Sequence, residues 1–182
     1  MTPPLVIALA GTDHHPFDRM VDWIDAAAAR RKDVRFVVQH GATRPPQVAE
    51  GHAFLAHDRL VALVAEAAVV VCHGGPGTIT DARAAGHVPL CMPRDPRLGE
   101  HVDGHQQRFA SFAGASGVVQ VVSSVESFHD TLEDALVPGR LVHAAATTSR
   151  LRDEARARAA AELDEVLALR SRRLRRLLRN AR

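Results

Sequence analysis

A doubly wound α/β fold with a mainly parallel, Rossmann-like sheet is what this sequence predicts, and three observations predict it. Short apolar runs rich in Val, Ile and Leu alternate with segments whose apolar residues recur at helical spacing. PLVIALA and AVVVC are apolar throughout, as strands covered on both faces are. Several end at glycine or in a polar loop, and sheets of this kind bind ligands beyond the carboxyl ends of their strands.

The elements follow in order. PLVIALA (4–10) is the first strand, ending at Gly11. Phe17, Met20, Val21, Ile24 and Ala28 then mark a helix, with Pro16 suited to its first turn. VRFVVQ (34–39) is the second strand and AFLA (53–56) a short third. Leu60, Val61, Leu63, Val64 and Ala67 carry the next helical stripe. AVVVC (68–72) is the fourth strand, followed by a helix over 76–85 that Gly86 stops. VPLCM (88–92) leads through a polar loop into a helix over 105–113; VVQVV (118–122) is a strand and 125–137 a helix. From about 148 onward a leucine stripe flanked by arginines predicts one long basic amphipathic helix, dividing the chain into 1–147 and 148–182.

Composition narrows the function classes. The chain has 182 residues, 46% of them hydrophobic, enough for one domain with a substantial core. No run approaches the roughly 20 apolar residues of a membrane span. The net charge of +2 conceals seven arginines between Arg170 and Arg182, so the rest of the chain is slightly acidic and whole-protein nucleic-acid binding is not expected. Cys72 and Cys91 lie in apolar runs and read as small buried thiols, which suits a cytoplasmic setting.

The most informative stretch is HGGPGTITD (73–81), where a buried strand gives way to glycines and then a helix. Glycine lets a ligand reach backbone N–H groups without meeting a Cβ. A helix N-terminus adds a partial positive charge, so His73, Gly74, Gly75, Gly77 and Thr78 fit a phosphate. Asp81, one turn further on, is placed to accept hydrogen bonds from sugar hydroxyls. The stretch lacks the lysine of a P-loop and the spacing of the dinucleotide fingerprint. In the following unit of the sheet, His105, Gln106 and Gln107 offer neutral donors and acceptors suited to a sugar.

Together GTDHHPFDRMV, HGGPGTITD, VPLCMPR and DGHQQRFA, in that order, resemble the C-terminal, donor-binding domain of family 28 glycosyltransferases. The likeness is greatest to single-domain catalytic subunits of split glycosyltransferases, of the dolichol-linked N-acetylglucosaminyltransferase and bacterial exopolysaccharide types. The resemblance implies one half of a GT-B fold that takes a UDP-sugar, of UDP-GlcNAc or UDP-glucuronate type. His73 to Thr78 would hold the donor diphosphate, Asp81 the ribose, and His105, Gln106 and Gln107 the donor sugar. Gly11, Thr12 and Phe54 would line the cleft. Asp81 stands where the family usually has glutamate, one methylene longer.

The reaction implied is inverting transfer to a lipid-linked or glycan acceptor, with no cofactor beyond the donor itself. The sequence holds no Asp-x-Asp, so metal-independent transfer is expected, with no metal ligands. Asp13, His14 and His15 are candidate catalytic groups, read beside their plainer role as residues of a helix-entry loop. The chain opens at the donor-domain strand, so a membrane-anchored acceptor-binding subunit is the expected partner, and the Arg170–Arg182 tail is a candidate contact with that partner or with anionic lipid. A peripheral place at the inner face of the membrane follows. The competing reading is a non-catalytic nucleotide-sugar-binding regulatory module.

Overall fold

Leu5–Leu9 (β1) is buried at every position, and its alternating side chains feed two separate cores. Val6, Ala8 and Ala10 face one side of the sheet; Leu5, Ile7 and Leu9 face the other. The computed structural model describes residues 2–137, part of a unit that spans Met1–Ala145. The predicted basic helix over 148–182, with its arginines, lies outside the described residues.

Six parallel strands form the sheet: β1, β2 (Arg35–Gln39), β3 (Glu50–His52), β4 (Val69–Cys72), β5 (Leu90–Cys91) and β6 (Gln120–Val121). Their spatial order is β3-β2-β1-β4-β5-β6, the order of doubly wound dinucleotide-binding sheets. Helices α1 (Asp18–Arg30) and α5 (Val125–Leu136) cover one face through Met20, Val21, Ile24, Phe128 and Leu132. Helices α2 (His57–Glu66), α3 (Pro76–Ala84) and α4 (His105–Ala115) cover the other through Leu63, Val64, Ala82, Ile79 and Ala110. No helix among the described residues is long and apolar enough to cross a membrane.

Three local expectations are corrected. The third strand is Glu50–His52, and 53–56 is loop with Phe54 65% exposed. As an edge strand it needs no buried apolar run; the Asp25 carboxylate, accepting the amides of Gln47, Val48 and Ala49, delivers the chain to it. Pro16 precedes the N-cap residue Phe17, whose amide donates to Thr43 Oγ1 at 2.8 Å, so helix α1 starts at Asp18. Of 118–122 only Gln120 and Val121 pair in the sheet; Val119 packs against α4.

Cys72 and Cys91 are register partners on β4 and β5, both free and buried. The Cys91 thiol beside it and the burial push the Cys72 thiol well up, which leaves it unreactive.

Candidate functional site

The strand order reverses between β1 and β4, and loops leaving the carboxyl ends of these two strands frame a crevice. On the β4 side the loop is built around His73. Gly75 N–H donates to His73 Nδ1 at 3.1 Å. His73 Nε2 lies 3.2 Å from Thr78 Oγ1, within hydrogen-bond distance. Burial drives His73 down to about 4, with Arg94 and His101 adding to the depression against the upward pull of Gln106 and Asp13.

The loop glycines divide into two kinds. A Cβ on Gly75 would lie 2.1 Å from His73 Cε1, one on Gly74 2.9 Å from the Gln106 carbonyl oxygen, and one on Gly11 2.6 Å from His73 Nε2. These glycines make room for the protein itself. Gly77 has nothing within 4 Å of its Cβ position. It stands in the first turn of α3, where Pro76 has no N–H and no side chain caps the helix. The amides of Gly77 and Thr78 are thus open to a ligand. Asp81 is exposed one turn further on.

Because His73 is neutral in the fold, acid should unfold the protein through it. Between pH 6.5 and about 4 the unfolded chain binds a proton that the native state refuses. The stability that His73 contributes is present above pH 6.5 and is lost as pH falls toward 4, by about 3 kcal/mol. Urea unfolding across this range should show that loss, and His73→Gln should flatten it. His129 is shifted the same way by burial, so the difference between wild type and variant is the deciding quantity.

Opposite, the β1 loop carries Gly11, Thr12, Asp13, His14 and His15. His15 donates its backbone N–H (2.8 Å) and ring Nδ1 (2.6 Å) to Asp13 Oδ1, and His101 Nε2 reaches Asp13 Oδ2 at 3.2 Å. Burial resists ionisation of Asp13, but the His15 hydrogen bonds and the nearby Arg94 and His101 charges hold its carboxyl at about 2. His14 is 85% exposed and 3.7 Å from Asp13, so it is not hydrogen-bonded.

Beneath both loops lies Arg94, 1% exposed. Its Nη1 donates to the carbonyls of His15 (2.7 Å) and Glu100 (2.8 Å), its Nη2 donates to that of Ala10 (2.8 Å), and the guanidinium stacks 4.7 Å over Phe17. Glu100 is clamped in turn by Arg19 at 2.9 and 2.7 Å and accepts the Asp95 amide. Gln106 is 3% exposed and meets His73 Nδ1 and the Arg94 amide at 3.4 Å, which ties α4 to the loop. Gln107 and the half-exposed His105 stand nearer the surface, and His105 Nδ1 pairs with Asp103 Oδ1 at 2.5 Å.

Sequence reasoning missed Arg94, Glu100, Arg19 and His101. An arginine in a proline-rich polar loop reads as solvated, and nothing local marks Arg94 as buried. His101 had a signal: it stands four residues before His105 in HVDGH. Asp13, His14 and His15 form one set, and His101, Asp103 and His105 another, whose ligand atoms lie within 4.8 Å of one another; among the described residues these are the places able to hold a cation.

The model of the glycosyltransferase family 28 C-terminal domain matches residues 9–163. This chain belongs to that family. Searching curated sequences gave no significant match. The calicheamicin glycosyltransferase CalG4 superposes with a TM-score of 0.59 at 18% identity, covering 90% of this chain and 42% of its own. MurG of Acinetobacter baumannii gives 0.55 at 17%, covering 78% and 44%. SnogD from Streptomyces nogalater gives 0.55 at 19%, covering 80% and 38%. The family 28 domain therefore has the fold of GT-B glycosyltransferases, and it spans less than half the length of these structures' chains.

Proposed function

We propose that this family 28 domain binds a UDP-sugar, of UDP-GlcNAc or UDP-glucuronate type, and gives up the sugar with inversion to a lipid-linked or glycan hydroxyl held by a membrane-anchored partner subunit. The observation that carries this reading is the uncapped N-terminus of α3, with its open Gly77 and the Thr78 hydroxyl in the same turn. As the bond to the anomeric carbon breaks, charge grows on the leaving diphosphate. Two amides, a hydroxyl and the helix dipole stabilise it there in place of a metal. Asp81 takes the ribose hydroxyls. Gln107 and His105 meet the sugar, with Gln106 beneath them as a link to His73, while Gly11, Thr12 and Phe54 line the cleft.

Titration calorimetry with a panel of nucleotide-diphosphate sugars tests the reading. One UDP-sugar should bind selectively, and Asp81→Ala should weaken it about tenfold, or roughly 1.4 kcal/mol. Binding should survive a chelator. Failure of every nucleotide sugar to bind would sink the proposal, and a requirement for magnesium would move the charge-stabilising role to one of the His/Asp sets.

A further inference from the structure

The carboxyl end of β1 holds a constellation that donor binding does not use. Asp13 accepts two short hydrogen bonds from His15 through one oxygen and meets His101 through the other. With Nδ1 donating its proton to Asp13, His15 has Nε2 at the far edge of the ring, for which the described residues provide no partner. Its main chain is equally fixed, since the buried Arg94 guanidinium holds the His15 carbonyl at 2.7 Å. The side chain is 22% exposed, enough to meet one ligand atom, against 85% for untethered His14. A basic atom with a fixed proton on the far side of the ring is what deprotonation of a hydroxyl requires.

The position also fits. Gly11, two residues before Asp13, packs against the His73 ring, and the charges of Asp13 and His101 are felt at His73. The β1 loop and the β4–α3 loop are thus neighbours at the carboxyl ends of paired strands.

We propose that His15 is the general base of the transfer reaction, with Asp13 as its positioning residue and His101 fixing the second oxygen of that carboxylate. The inference rests on the donor reading above. The acceptor oxygen forms a bond to the anomeric carbon while the bond from that carbon to the diphosphate oxygen breaks. The electron pair leaves on the nucleoside diphosphate. The acceptor proton moves to His15 Nε2, and the imidazolium so formed stands against the ionised Asp13. Atoms and charge balance with no further reagent. The base then belongs to the donor half, and the partner need supply only the acceptor.

Hydrolysis of the bound UDP-sugar, with water as acceptor, tests this on the full chain without a partner. His15→Gln should lower the hydrolytic kcat about 100-fold or more, the ordinary worth of a general base, with the calorimetric Kd for the donor within about twofold of wild type. Asp13→Asn should lower kcat about tenfold or more, because its amide donates to Nδ1 and favours the wrong tautomer. Nitrogen-15 shifts of the His15 ring should show that exchange directly, which loss of a merely structural carboxylate would not produce. Unchanged turnover in His15→Gln overturns the proposal and leaves the donor reading intact. So does a wild type that binds donor without hydrolysing it, since a resident base should activate water. A wild type that binds no nucleotide sugar defeats the donor reading, and the proposal with it.

Discussion

Gly77→Val is expected to lower affinity for the nucleotide-diphosphate sugar by about 100-fold, or roughly 2.8 kcal/mol, while leaving the fold as stable as before. The Cβ position of Gly77 meets no protein atom within 4 Å, so the new side chain disturbs nothing in the native packing. Helix propensity, if anything, improves slightly, because glycine is the poorer residue inside a helix. What the valine fills is the space over the open amides of α3. Gly75→Ala should behave in the opposite way. Its Cβ would lie 2.1 Å from His73 Cε1, so the ring must move and the Gly75–His73–Thr78 relay must break. Overpacking of this kind costs about 1–3 kcal/mol of stability. Calorimetry and urea unfolding on the two variants separate the classes: one should lose ligand alone, the other stability as well. Equal loss of stability in both would mean that Gly77 is also a packing glycine.

Arg94→Met should be the most damaging single change among the described residues, costing about 3–5 kcal/mol in urea unfolding. The methionine fills much of the volume but leaves the carbonyls of Ala10, His15 and Glu100 without their donor. It also removes a buried positive charge that faces Asp13 and Glu100. Burial pushes the Arg94 guanidinium down and those two carboxylates pull it back up, so the ions are mutually supporting. Arg94→Lys should recover little, since a single ammonium cannot present the planar fork that spans three carbonyls. A stability within about 1 kcal/mol of wild type in either variant would show that solvent replaces the guanidinium.

The central strands were legible because β1 and β4 lie deep in the sheet and carry unbroken apolar runs, and β2 holds Phe36, Val37 and Val38 between Arg35 and Gln39. The edge strand β3 was not, since Glu50, Gly51 and His52 have one neighbour and little to bury. The β4–α3 loop was legible as a glycine cluster between a strand and a helix. Which of its glycines the packing itself requires was not, because that depends on where the His73 ring and the α4 backbone fall. Arg94 and His101 escaped because their partners are 84 and 88 residues away in sequence, at Ala10 and Asp13, and only folding brings them together.

The sheet's margins also bear on assembly. β3 has three residues and β6 two, and the Arg35–Glu50 ion pair at 2.7 Å places charge on the β3 border. Borders so short and charged offer almost no ladder for a foreign strand to extend. Recruitment of another chain by β-addition is thereby discouraged. A chain docking on the described residues would instead engage helices or the loops at the carboxyl ends of the strands, and an interface at those loops would make association and catalysis respond to the same contacts.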